Sequence, residues 1–162
     1  TGMLDVTGNF DGQVTAADVI DRDKLAVVMG HEIAHALARH GGERMSQGRI
    51  LQVGQMAIGV AADSRAVMEA FGMAAQAGGL LPFSRQHETE ADKIGLELLV
   101  RACYDPREAP ELWQRMGELS GGQAPPEFMS THPSSDRRAE NFELWMDDAI
   151  AEYQRRGCPT LQ

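Results

Sequence analysis

The stretch "MGHEIAHALARHGG", residues 29–42, decides how this chain is read, because its histidines are either a metal-binding face or ordinary helix residues. His31 and His35 are four apart, so at 3.6 residues per turn both imidazoles lie on one side of a helix, one turn above the other. Glu32 sits beside them. In a pattern of His, Glu, two residues and His, the histidines hold a metal and the glutamate handles the proton of a water at that metal.

Working outward, the stretch lies on a helix. From Asp21 apolar residues recur at three and four (Leu25, Val28, Met29, Ala36, Leu37), and Gly41 and Gly42 supply a stop after Arg39 and His40. Further helices are predicted over residues 43–62, 64–76 and 84–102, with Gly78, Gly79 and Pro82 breaking the run between the last two. Asp105 followed by Pro106 is a helix start, opening a helix to about Leu119. A long loop carrying "SGGQAPPEFMSTHP" follows, and a last helix runs from Ser134 or Ser135 to about Arg156. Residues 1–20, rich in Gly, Thr and Asp, read as an irregular lead-in. The whole chain, 1–162, is expected to be a single domain. Because it starts at Thr1 rather than Met, it is expected to be trimmed, which leaves room for an export signal or membrane anchor upstream.

Composition narrows the partners. Among 162 residues, 43% are hydrophobic and the formal net charge is -9, as for an ordinary globular domain that a phosphate backbone would repel. Nucleic acid is excluded as a partner. The charge-free stretches, residues 50–62 and 70–84, are shorter than the roughly 20 apolar residues a spanning helix needs, so no transmembrane helix is expected. Cys103 and Cys158 belong to no CxxC or Cys/His cluster. They are either one disulfide or two unrelated thiols with Cys103 buried.

A catalytic zinc site takes three protein ligands and leaves one position for water, so a third ligand is needed far from the first two in sequence. The candidate region is "SRQHETEADKIG", residues 84–95. Glu88 and Glu90 are roughly 200° apart on a helix, and only Glu88 has a carboxylate four residues on, at Asp92. Glu88 is therefore the expected ligand and Glu90 a solvated residue. Like charges at that spacing cost a few tenths of a kcal/mol, unless a cation takes one and a histidine N–H the other. Metal-bound histidines usually donate their second ring nitrogen to a carboxylate, and Asp92 is placed for this. Ala91 and Gly95 are small and share a face, which allows a close approach to the His31 helix. His40 and His87 are not read as ligands. A longer metzincin pattern is excluded, since it requires glycine at position 38 and histidine at 41, where the chain has Ala38 and Gly41.

The ordered set of HEIAH, Glu88-x-x-Ala91-Asp92, and Thr131-His132-Pro133 with Arg138 after it resembles peptidase family M48, the gluzincin family that includes the CAAX-prenyl proteases. The likeness is nearest to its soluble bacterial BepA-, LoiP- and Oma-like branch and runs from about Thr1 to Arg138. It implies a mainly α fold, zincin-like α+β with its upstream strands absent or reduced, "TGML" resembling the end of one such strand. It also implies one zinc ion per chain, endopeptidase activity, and a periplasmic or membrane-associated place in the bacterial cell envelope.

With His31, His35 and Glu88 on zinc, Glu32 is the expected general base. His132 is the expected oxyanion donor, the alternative being a fourth ligand that caps the metal until substrate displaces it. Arg138 is expected to pair with a carboxylate. The substrates are then polypeptides, unfolded or envelope proteins; the rival is a chaperone-like or assembly module that keeps the metal site and cleaves little. For residues 54–83, dense in Met, Ala and Gly, buried core helices are the leading reading. The other is a mobile hairpin over the cleft, hinged at Gly72, Gly78 and Gly79.

Overall fold

A computed structural model describes residues 22–61, 64–119 and 135–161. Within them the fold is mainly α, as expected, and every regular element is helical: α1 (Arg22–Leu37), α2 (His40–Ala61), α3 (Arg65–Ala75), a π-helical turn (Gln76–Leu80), α4 (Leu81–Arg101), α5 (Glu108–Leu119) and α6 (Ser135–Arg155). The lead-in with "TGML" and the loop carrying Thr131, His132 and Pro133 lie outside the described residues. No described helix is long and apolar enough to cross a membrane.

The packed body consists of α1, α4, α5 and α6. Val27 of α1, Leu96, Leu99 and Val100 of α4, Ala109 and Leu112 of α5, and Phe142, Ala149 and Tyr153 of α6 form one buried cluster. α1 crosses α4 at two glycines. A Cβ on Gly95 would meet the His31 backbone nitrogen at 3.0 Å, and one on Gly30 would meet the Gly95 carbonyl oxygen at 3.0 Å. Ala91, wholly buried, lies on the same face. The small-residue face predicted for α4 is therefore the seam along which two backbones touch. At the far side of α1, the buried Lys24 ammonium reaches Glu108 at 2.8 Å and Glu111 at 3.6 Å, tying α1 to the start of α5.

Three expectations are corrected. The α1 helix ends at Leu37, before the glycines; the chain turns at Ala38 and Arg39, with Arg39 at φ 59°, and Gly41 and Gly42 fall inside the first turn of α2. Two tertiary contacts of His40, described below, hold this turn where glycine chemistry does not. Second, the run Gly78, Gly79, Leu80, Leu81, Pro82 is not a loop: the helix widens into a π turn and resumes, with proline in the first turn of α4. Third, residues 54–83 are not core. Among those described, only Leu81 is buried, and α3 buries nothing. Their helical apolar spacing is satisfied mainly within the pair, Gly54 lying against Phe71 and Gly59 against Met68.

Cys103 and Cys158 form a disulfide between the ends of α4 and α6, 55 residues apart in sequence. The reading as separate thiols with Cys103 buried fails, since Cys103 is exposed in the turn after α4 at φ 59°.

Candidate metal centre

The α1–α4 crossing sets the site. His31 is buried and His35 half-buried on α1, and both face Glu88, which is 3% exposed on α4. The two Nε2 atoms are 3.1 Å apart. Glu88 presents Oε2 to His31 Nε2 at 3.5 Å and Oε1 to His35 Nε2 at 3.4 Å. One donor atom from each of the three residues lies within 4.8 Å of the others.

Zinc holds imidazole nitrogen and carboxylate oxygen at about 2.0–2.2 Å, so ligands at a tetrahedral angle stand about 3.3 Å apart. The nitrogen–nitrogen separation, 3.1 Å, and the two nitrogen–oxygen separations, 3.4 and 3.5 Å to different oxygens of Glu88, lie near that figure. The donor set is of the right chemistry too, two neutral nitrogens and one anionic oxygen, with three protein ligands where a catalytic site needs three. These residues fit a zinc ion.

Behind the donors stands a second layer. Asp92, buried at 1% exposure, takes a hydrogen bond from His31 Nδ1 at 2.9 Å, which leaves the Nε2 lone pair facing the donor cluster. Arg138 of α6 donates through Nε to Asp92 Oδ2 at 2.8 Å and through its terminal NH2 group to Oδ1. The guanidinium carbon lies 3.2 Å from the centroid of the Trp113 ring, so the fork is held flat between an aromatic face and a carboxylate. Another terminal nitrogen of Arg138 is 3.7 Å from Glu88. The expected pairing of Arg138 with a carboxylate is present, and the carboxylate is Asp92.

Burial pushes the His31 pKa down, but the hydrogen bonds to Asp92 and Glu88 outweigh it and hold the group above its ordinary value. Burial also lowers His35, and there the opposing charge of Glu88 does not restore it. Glu32 is exposed, next to His31 on α1, and its charge acts on His35.

Glu90, read as solvated, is 58% exposed at its side chain, yet it reaches His40 Nε2 at 3.3 Å. His40 in turn touches His35. Sequence reasoning missed both contacts. On a continuous helix His40 would stand about 140° from His35, so helical spacing pointed it away; the left-handed Arg39 was the missing signal. Trp113 was missed as well, since a tryptophan at helical spacing reads as core.

The model of peptidase family M48 matches residues 6–146. The chain is 37% identical over 146 residues to the mitochondrial metalloendopeptidase OMA1 of Saccharomyces cerevisiae, covering 86% of this chain and 41% of that protein. It is 33% identical over 154 residues to the human mitochondrial metalloendopeptidase OMA1, covering 88% and 29%. To the beta-barrel assembly-enhancing protease of Yersinia pestis it is 31% identical over 143 residues, covering 80% and 29%. The chain thus spans about two-fifths or less of the length of these relatives. No solved structure matches it. The names correct one expectation: relatives from yeasts, a plant and animals, at up to 40% identity, are mitochondrial, and the bacterial protease is more distant, so a bacterial-envelope location does not hold. The extent of the match, over an HExxH helix and a Glu-x-x-x-Asp helix that meet at one point, shows that this chain belongs to peptidase family M48.

Proposed function

We propose that this chain is the catalytic domain of a zinc-dependent endopeptidase, with one zinc held by His31, His35 and Glu88. The observation that carries the reading is the convergence of the three donor groups: the His31 and His35 Nε2 atoms are 3.1 Å apart, and Glu88 sets one oxygen 3.5 Å from the first and the other 3.4 Å from the second. Family membership and metalloendopeptidase relatives support it. Zinc in such a site lowers the pKa of its water toward ~7 and polarises the scissile carbonyl.

The chain's own residues supply the rest. Glu32 is the general base: it accepts the proton of the attacking water and later delivers it to the leaving amine. It stays off the metal because neighbouring helix residues point about 100° apart. Asp92 keeps the His31 proton on Nδ1, and Arg138, clamped over Trp113, holds Asp92 against rotation. His132 is assigned to the oxyanion, with a capping fourth ligand as the alternative role. The substrates are polypeptides, presented unfolded, since cleavage within a chain needs an extended segment at the metal.

The test pairs activity with metal content. Wild type with zinc should hydrolyse unfolded casein, and Glu32→Gln should lose at least about 100-fold while keeping its zinc. Glu88→Ala should lose the metal. A wild type as inert as Glu32→Gln that still binds clients would favour the chaperone-like module instead.

A further inference from the structure

α2 opens with a buried histidine that the proposed reaction does not use. His40 is 5% exposed, and it is delivered under α1 by the left-handed turn at Arg39. Its Nδ1 lies 2.9 Å from His35 Nδ1, and its Nε2 lies 3.3 Å from Glu90 Oε2 on α4. Its ring stacks on His87 at 4.1 Å and 10°. His87 is itself pinned by Glu43 of α2, Nε2 to Oε2 at 2.8 Å. The plane of His40 is thereby set by the His87 ring on one face and by partners at both ring nitrogens.

The positions of the protons follow from one requirement. If His35 gives Nε2 to a metal, its proton is on Nδ1, and that N–H donates to His40 Nδ1. His40 then carries its proton on Nε2 and donates it to Glu90. Every nitrogen in the chain has a matching partner. The opposite assignment puts a proton on His40 Nδ1, makes His35 Nδ1 the acceptor, and moves the His35 proton to Nε2, where it blocks the metal.

The geometry points to His40, backed by Glu90, as a positioning residue that holds His35 in the tautomer and ring orientation of a metal ligand. It rests on the metal-centre reading above. It also completes a division of labour on α4: Glu88 faces the metal point, Asp92 holds His31 directly, and Glu90, two residues away on another face, holds His35 through His40. A direct carboxylate could not serve His35, because Nδ1 of that ring points toward α2 and not along α4.

The test measures zinc affinity by chelator competition and follows the His35 ring nitrogens by long-range proton–nitrogen spectra, with and without zinc. In wild type the His35 proton should sit on Nδ1 and exchange slowly with solvent. His40→Leu should weaken zinc binding by about 10-fold and leave that proton fast-exchanging or moved. His40→Gln, which keeps an acceptor oxygen, should recover most of the affinity. Glu90→Ala, at an exposed position that spares the core, should cost a smaller factor of about 3 and speed the same exchange. Zinc affinity within twofold of wild type in both His40→Leu and Glu90→Ala, with an unchanged His35 proton, would overturn the inference. Should wild-type zinc binding prove indifferent to Glu88→Ala, the metal-centre reading falls separately. Loss of zinc in Glu88→Ala beside wild-type zinc affinity in His40→Leu and Glu90→Ala would sink this inference alone.

Discussion

The α1–α4 crossing and the α2–α3 pair are built from similar residues, small and apolar at helical spacing, and they come to opposite ends. At the crossing, Gly30, Ala91 and Gly95 let two backbones touch, and Val27, His31, Ala34, Glu88, Asp92 and Leu96 on the facing sides are buried. In the pair, Ile50 is 74% exposed, Val60 91% and Met73 67%. The difference is in what lies opposite. α1 and α4 have two further helices, α5 and α6, to close the core over them, whereas α2 and α3 have chiefly each other. A contact between two helices covers only a narrow seam on each and leaves the rest of a wider apolar face in solvent, so periodicity alone does not say whether a helix is inside.

Local stability should show the contrast most strongly. Amides of α4 around residues 91–100 should open only with global unfolding, of order 5–15 kcal/mol, while those of α3 should exchange through local opening at a few kcal/mol or less. Hydrogen exchange read by mass spectrometry separates these by several orders of magnitude in rate. Equal protection in α3 and α4 would erase the distinction between the two regions. Protection of α3 gained only when an inhibitory peptide is bound would turn it into evidence for a hairpin that closes on the site.

Glycine substitutions sharpen the comparison at a smaller scale. Gly95→Ala pushes a methyl into the His31 backbone, which cannot yield as a side chain would, so it should cost about 1–3 kcal/mol and loosen the donor cluster. Gly48→Ala, mid-helix in α2 with nothing within 4 Å of the new methyl, should instead stabilise by about 0.5–1 kcal/mol. Urea unfolding of the two variants gives both signs in one experiment. If Gly95→Ala were neutral, the seam would not be close-packed.

The smallest effect belongs to the turn between α4 and α5, outside both regions. Burial raises the Asp105 pKa, but hydrogen bonds from the Arg107 side chain and backbone outweigh it and hold the carboxyl below its ordinary 3.8. A carboxyl depressed in the folded state stabilises above its unfolded pKa, and that stabilisation disappears as pH falls through the folded value. Arg107 is 43% exposed, so solvent screens the pair and Asp105→Asn should cost only about 0.5 kcal/mol at pH 7. The gap should narrow once pH drops below 3.8. A gap that is constant from pH 7 to 3 would remove the ion pair as its cause.

Much of this protein is set by its own local sequence. Spacing by four puts His31 over His35 and Glu88 over Asp92 wherever those helices form, and the small Ala91–Gly95 face has no use except close approach. The pairing of Asp92 with His31 follows once the two helices meet, and Arg138 reaches Asp92 only because α6 packs beside them. Tertiary structure decided the remainder. Which helices gained cover, the joining of Cys103 to Cys158, and the meeting of His40 with Glu90 behind His35 all depend on contacts between residues far apart in the chain. A helical repeat carries the direction of a side chain relative to its own helix. It carries nothing about what stands on the other side, and burial, disulfide pairing and a strained turn are all properties of that other side.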